Sequence, residues 1–205
     1  MAQTHIQIHE DDVGMRVLYP AAAAPAVLND LAQAQAEAEA NRLPSGFWSD
    51  VHSIKEPEES FRNSGLTLKD ASRALCLLPR IRTFSSGYGG DLSLASAPDA
   101  QCYGFGAHLY IKLEVTEGAL DAIWFDVTRT TKDERCALRA GLERLDAATP
   151  LVLADYWMNM GGLVRDTAFM DRYFAELAVT SERMAKPSPP PRKQGSWIMR
   201  LLRRG

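Results

Sequence analysis

Cysteine is scarce in this sequence: Cys76, Cys102 and Cys136 are the only three among 205 residues. Their odd number and wide spacing argue against a disulfide framework or a paired-cysteine metal site. No apolar run is long enough to span a bilayer, and the N-terminus lacks the basic stretch and apolar block of a secretory signal. These absences predict a protein of a reducing compartment, and we expect a cytoplasmic location.

Motifs for catalysis and cofactor binding are missing as well. The stretch SSGYGGD, from Ser85 to Asp91, lacks the lysine of a phosphate-binding loop and precedes a strand-like segment, DLSLAS. No GxSxG motif surrounds Ser85 or Ser86, and only His52 and His108 could serve either serine as a base. The three cysteines stand among apolar neighbours, which predicts buried and inert thiols. We therefore favour a binding protein over an enzyme, and we expect no cofactor and no metal.

Charge is distributed unevenly along a chain of ordinary globular composition, 46% hydrophobic and 24% charged. The formal charge is −3, but residues 187–205 hold five basic residues and no acid, which leaves residues 1–186 at −8. An acidic body disfavours binding to nucleic acid and favours a basic protein partner. The length suits one core, so we predict a single domain over residues 1–186.

The basic segment 187–205 is predicted to be a flexible tail. A proline-rich linker, KPSPPPRK, leads to SWIMRLLRRG, which can form a short amphipathic helix. Three interpretations stay open: a weak anchor on anionic lipid, a contact with the acidic body or a protein partner, and a solubilising tail. The residues that would make membrane or partner contacts are Trp197, Ile198, Arg200, Leu201, Arg203 and Arg204.

The first acidic cluster lies in HEDDVG, between two strand-like runs, THIQIHE and MRVLYP. DDVG has the pattern of a type I turn, so we predict a hairpin whose tip carries Glu10, Asp11 and Asp12. A metal site here would need ligands from elsewhere in the fold. His5 and His9 share one face of the first strand, which we expect to be solvated.

Four segments have helical patterns. Residues 25–43 are rich in helix formers and begin at a proline, and residues 131–147 place leucines at helical spacing. Thr67 opens a capping box with Asp70, and Asp166 caps a helix with a broad apolar stripe. Between the helix of residues 25–43 and the helix that starts after Thr67, residues 47–65 are predicted to be irregular, with a short strand near 51–54.

The middle of the chain gives the most definite prediction. From Tyr103 to Val115 every odd position is apolar or aromatic, which indicates one long half-buried strand. In the following strand, Ile123, Phe125 and Val127 should lie opposite Leu113, Ile111 and Leu109, which requires a loop of three or five residues, most simply 117–119. The predicted fold is therefore α+β, with an antiparallel sheet covered by amphipathic helices.

Taken together, these features predict a non-enzymatic protein-binding module that neutralises a basic partner, a profile shared by bacterial immunity and antitoxin proteins. In DYWMNMGGL, from Asp155 to Leu163, aromatic and methionine side chains could adapt to a partner if they are exposed. The candidate contact residues are Glu10, Asp11, Asp12, Arg82, Tyr88, Asp91, Asp155 and Trp157. The alternative is a small-molecule-binding protein or an enzyme that uses the glycine-rich loop 85–91 with Arg82, Asp126 or His108.

Overall fold

The computed structural model describes residues 5–9, 13–45, 49–50, 52–87, 93–96 and 101–185. Within these residues the strands are β1 His5–His9, β2 Arg16–Pro20, β3 Arg80–Ile81, β4 Thr83–Gly87, β5 Ser93–Ser96, β6 Cys102–Gly106, β7 Leu109–Thr116, β8 Ala119–Val127, β9 Leu151–Asp155 and β10 Met160–Leu163. The α-helices are α1 Ala24–Ala40, α2 Leu68–Ala74, α3 Lys132–Ala148 and α4 Thr167–Ala185.

The strands form two sheets. A seven-stranded antiparallel sheet has the order β10-β9-β2-β8-β7-β6-β3, and a three-stranded sheet has the order β1-β4-β5. With four helices beside the antiparallel sheet, the α+β class is confirmed. Within the ranges described above, no helix combines the length and the apolar character that crossing a bilayer requires.

The two faces of the large sheet are covered differently. Helices α2, α3 and α4 pack on one face, where leucines of α3 and the aromatic stripe of α4 join Leu18, Ile123 and Phe125 in the main core. On the other face, α1 packs against Val152 and Ala154 of β9. Strand β1 covers another part of that second face. A strip of this face between α1 and β1 therefore borders the segment around residues 54–61.

The helix predictions are confirmed by the observed caps. Thr131 and Glu134 form a complete capping box at the start of α3, and the Thr67 side chain accepts a hydrogen bond from the Asp70 amide. The Asp166 carboxylate accepts from the amides of Ala168 and Phe169 at 3.0 and 3.2 Å. The short strand predicted near 51–54 is wrong for the described part, because residues 52–60 contain neither helix nor strand.

The predicted hairpin between the first two strands is also wrong, although both strands exist. β1 runs parallel to β4 in the small sheet, and β2 lies between β8 and β9 in the large one. The reason is that Ile6 and Ile8 bury their side chains on Val17 and Trp124, so β1 covers the large sheet instead of extending it. The acidic turn of residues 10–12 and the side chains of His5 and His9 lie outside the described residues.

The single long strand predicted from Tyr103 to Val115 is two strands, β6 and β7, joined by a turn at residues 107–108. The alternation of apolar residues does not reveal this turn. Tyr103 pairs with Ile111, so odd positions lie on the same face of the sheet before and after the turn. Gly104 allows the close return of the chain: a Cβ atom there would lie 2.2 Å from the Leu109 carbonyl oxygen.

The pairing of β7 with β8 has the predicted register but a different loop. Leu113, Ile111 and Leu109 lie opposite Ile123, Phe125 and Val127. However, Thr116 pairs with Ala119, so the loop has two residues, Glu117 and Gly118, both with positive φ. The register survives because Glu114 pairs with Ala122 and Val115 with Leu120, which makes Asp121 a β-bulge. Asp121 at the bulge therefore takes the place of the third residue of the predicted loop.

Candidate functional site

Three strand ends meet at one end of the large sheet. Because β2 runs antiparallel to both neighbours, its first residue, Arg16, lies near the last residues of β8 and β9. The Arg16 guanidinium donates from Nη1 to Asp126 Oδ1 at 2.6 Å and from Nε to Asp155 Oδ2 at 2.9 Å. All three side chains are buried. We call Arg16, Asp126, Asp155 and Tyr173 the arginine cluster.

Asp155 is the most enclosed member of this cluster. Its carboxylate also accepts hydrogen bonds from the Tyr173 hydroxyl at 3.0 Å and from the Met158 amide at 2.9 Å. Burial, and then the charge of Asp155, raises the pKa of Tyr173 well above its usual value. Asp155, a predicted partner contact, is 0% exposed and so is not accessible to a partner in this structure. Asp155, at the end of the buried strand β9, therefore binds Arg16 of the same chain.

Arg16 is not among the residues predicted from the sequence. Burial alone would lower the pKa of its guanidinium, but attraction by Asp155 and Asp126 outweighs burial and raises it. One signal for Arg16 is present in the sequence, because this arginine begins a strand that is otherwise apolar. An arginine in such a strand is expected to be buried, and a buried charge needs a partner of opposite charge. That signal indicates the need for carboxylates but not which ones, because they lie more than a hundred positions away.

A cavity of about 810 Å³ opens beside the arginine cluster. Its walls come from the end of β8, the turn between β9 and β10, and one face of α4. Trp157 stands at its rim with 55% of its surface exposed, so this candidate residue is accessible to a partner. The lining residues are Arg16, Asp126, Val127, Thr128, Trp157, Met158, Met160, Arg172, Glu176 and Thr180.

A second cavity, of about 440 Å³, lies on the opposite face of the sheet, where neither α1 nor β1 covers it. Its floor is formed by β2 and β8, including Tyr19 and Trp124, and its outer wall by residues 54–61. Four carboxylates line it and no lysine or arginine does. We call this the acidic groove; its charged and aromatic residues are Tyr19, Glu56, Glu59, Phe61, Glu114, Asp121 and Trp124.

The carboxylates of the acidic groove fall into two pairs. Glu114 accepts from Trp124 Nε1 at 3.0 Å and from Lys112 Nζ at 2.9 Å, and Asp121 accepts from Arg62 Nε at 3.1 Å. Glu56 and Glu59, on the outer wall, are exposed. Burial, and then the negative charges of Glu56 and Asp30, raises the pKa of Tyr19 to about 12. The groove therefore has a negative potential at its mouth.

The two histidines considered as bases are both engaged by acids. His52 contacts Glu37 through Nδ1 and Asp30 through Nε2, at 2.9 and 3.0 Å. His108 lies in the turn between β6 and β7, with Nε2 2.9 Å from Glu134 Oε1. These contacts with helix residues indicate structural roles for both imidazoles.

The prediction of buried thiols is correct for one cysteine only. Cys102 is buried on β6, and burial raises the pKa of its thiol to about 12. Cys76 and Cys136 are exposed. Cys76 follows α2 in a turn, and Cys136 lies on the outward side of α3, so apolar neighbours in sequence did not imply burial in space.

Of the remaining candidate residues, those that the structure describes are not brought together. Arg82 is exposed between β3 and β4, and neither it nor His108 lines the cavities described above. Glu10, Asp11, Asp12, Tyr88, Asp91 and the tail residues lie outside the described ranges. Among described residues, no group of three or more histidine, cysteine, aspartate or glutamate side chains could hold a metal ion. No protein-family model, curated protein or solved structure significantly matches the chain.

Proposed function

We propose that this protein is a binding module that receives a basic segment of a protein partner in the acidic groove. The observation that supports the proposal is the lining of the groove, which combines four carboxylates with aromatic side chains and contains no basic residue. A partner with a basic active surface, such as a toxin domain, would be neutralised by occupancy of this groove. An immunity or antitoxin role is one form of this function.

The chemistry of the groove suits a lysine or arginine side chain. The aliphatic stem of such a residue can pack on Tyr19, which is partly exposed, and an aromatic ring adds about 0.5–1 kcal/mol when a cation lies over its face. The ammonium or guanidinium group would then lie between the carboxylates of Glu56 and Glu59 at the mouth. A negatively charged concave surface also increases the local concentration of a cationic partner.

The predicted acidic turn adjoins this groove in the chain. Val13 and Gly14 line the groove, and Glu10, Asp11 and Asp12 directly precede them in sequence. Val13 is also one of the exposed large hydrophobic residues. The acidic residues predicted to contact a partner therefore directly precede two of the residues that line the groove.

The proposal is tested by measuring the binding of a fluorescent lysine decapeptide to the full chain by anisotropy at several salt concentrations. The Glu56→Gln/Glu59→Gln variant should bind about two- to thirtyfold more weakly, because exposed ion pairs contribute about 0.2–1 kcal/mol each and the variant removes two. Raising the salt concentration should weaken binding to the unmodified chain and should narrow the difference between it and the variant.

A charge-matched control separates the groove from the general acidity of the protein. Glu58 is exposed on the same segment but does not line the groove, and Glu182 is exposed on α4. Glu58→Gln/Glu182→Gln changes net charge equally and should leave the affinity for the decapeptide close to that of the unmodified chain. Equal losses in the two double variants would show that binding follows net charge, and the proposal would fail.

The alternative function, a small-molecule or enzyme site on the glycine-rich loop, stays a prediction. Of its proposed residues, Arg82 is exposed, His108 contacts Glu134 and Asp126 contacts Arg16. The lipid and partner contacts of the tail are likewise predictions, as is the cytoplasmic location.

A further inference from the structure

The outer wall of the acidic groove is a strap formed by residues 52–61. Residues 52–60 contain neither helix nor strand, so the strap lacks a regular backbone hydrogen-bond ladder of its own. One end is fixed because Phe61 is buried in the main core. Between the ends, Ile54, Glu56, Pro57 and Glu59 face the groove. The position of this wall therefore depends on how the other end is held.

His52 holds that other end against α1. Its side chain lies half-buried between two helix residues, with Nδ1 2.9 Å from Glu37 Oε2 and Nε2 3.0 Å from Asp30 Oδ1. Lys55 adds weaker support, since its amide lies 3.4 Å from Asp30 Oδ2 and its ammonium group donates to Gln33 at 2.9 Å. Tyr156, from the turn after β9, donates to Asp30 Oδ2 at 2.7 Å.

The geometry requires a charged imidazole. A carboxylate only accepts hydrogen bonds, whereas a neutral imidazole donates from one nitrogen and presents a lone pair on the other. Since each ring nitrogen of His52 faces a carboxylate oxygen, both contacts are favourable only when both nitrogens carry protons. In the neutral form, one carboxylate would face a lone pair at about 3 Å, and the contact would become repulsive.

We infer that His52 is a proton-controlled clasp: its imidazolium holds the strap on α1 and so fixes the outer wall of the acidic groove, and loss of the proton releases that wall. Ile54 connects the two places, because it lines both the groove and a small cavity beside His52. The consequence for partner binding rests on the proposed function, whereas the clasp itself does not.

The direction of the pH effect follows from the groups around His52. The hydrogen bond to Glu37 is the main factor that raises its pKa; burial opposes this shift, and Asp30 adds to it. The same small cavity is lined by Asp50 and Tyr156, and Lys55 is the nearby cation on the strap. A raised pKa means that the clasp is fully closed below the usual value of about 6.5 and is lost as pH rises through the folded value.

The clasp is tested by NMR on the full chain with labelled histidine rings and isoleucine methyl groups between pH 5.5 and 9. The Ile54 methyl resonance should move and gain mobility with the same midpoint as the His52 ring. The closed-to-open ratio of the strap should fall up to tenfold for each unit by which the His52 pKa exceeds 6.5. His52→Gln should show the released Ile54 resonance throughout, whereas His108→Gln, which changes the other helix-bound histidine, should titrate like the unmodified chain.

A second measurement connects the clasp to binding. The lysine decapeptide should bind the unmodified chain more weakly at pH 8.5 than at pH 6, and the affinity of His52→Gln should not change between these values. If Ile54 follows His52 but the decapeptide does not bind, the clasp stands and the proposed function fails. The clasp hypothesis is wrong if the decapeptide binds the unmodified chain and His52→Gln with the same pH dependence. It is also wrong if the Ile54 methyl resonance does not change when the His52 ring titrates.

Discussion

Replacing Arg16 with alanine gives the most direct test of the arginine cluster. The substitution removes the guanidinium that Asp126 and Asp155 share at 2.6 and 2.9 Å, and it leaves both carboxylates in place. Removing one partner of a buried ion pair costs about 3–5 kcal/mol, because the remaining charge stays desolvated. Two carboxylates lose their contact with the guanidinium here, so we expect a loss near the upper end of that range. Natural domains have only about 5–15 kcal/mol of stability in total.

The loss is measured by urea unfolding at pH 7, followed by circular dichroism. Arg62→Ala serves as the control, since Arg62 is also an arginine bound to an aspartate, at 3.1 Å, but its side chain is 42% exposed. That control should lose less than about 1 kcal/mol. Arg16→Lys keeps the charge but cannot bridge both carboxylates with a planar fork, so its stability should fall between those of Arg16→Ala and the unmodified chain.

A rescue experiment separates the charge from the lost packing. Adding Asp155→Asn to Arg16→Ala removes one of the two carboxylate charges that faced the guanidinium. The asparagine keeps an oxygen that can accept hydrogen bonds from the Tyr173 hydroxyl and the Met158 amide. We expect the double variant to recover at least about 1 kcal/mol relative to Arg16→Ala. A loss of less than about 1 kcal/mol in Arg16→Ala, or no recovery in the double variant, would refute the electrostatic account of the cluster.

Three further predictions concern the fold. Gly104→Ala should cost at least about 3 kcal/mol in the same urea assay, because its Cβ would meet the backbone of Leu109 and Tyr110, whereas Gly141→Ala, which meets only flexible leucine side chains, should stay within about 1 kcal/mol. Deleting Asp121 removes the bulge and its exposed contact with Arg62, so it should cost less than deleting Glu114, which removes a residue paired with Ala122; a larger loss from the Asp121 deletion would contradict this register. A thiol reagent should modify the exposed Cys76 and Cys136 quickly and the buried Cys102 only after unfolding. Labelling of all three cysteines in the native protein would contradict the burial of Cys102.

The parts of the fold that could be predicted are those determined by local patterns. The leucines of α3 and the aromatic stripe of α4 recur at helical spacing over about two turns, and capping residues mark the starts of both helices. The register of β7 and β8 was predictable for a similar reason, since shifting it by one residue would expose an entire apolar face. Local alternation could not separate a three-residue loop from a two-residue loop with a bulge, because both preserve that face.

The candidate sites could not be predicted, because residues distant in sequence build them. The acidic groove joins Tyr19 on β2, Asp121 at the bulge of β8, and Glu56 on the strap. Their meeting depends on β2 inserting between β8 and β9, a pairing for which the sequence gives no local signal. The hairpin that we predicted for β1 and β2 would have placed β2 differently. The acidic character was visible in the composition, but its location was not.

The position of β2 explains why a buried ion pair is useful in this fold. β2 pairs with β9 over five residues but with β8 over only two, Val17 and Leu18. Arg16 joins β2 to the end of β8 through Asp126, beyond the last paired residue. Alternate residues of the same strand, Val17 and Tyr19, form part of the groove floor. A buried ion pair that fixes the register of one strand can therefore also fix the floor of the binding groove on the opposite face of the sheet.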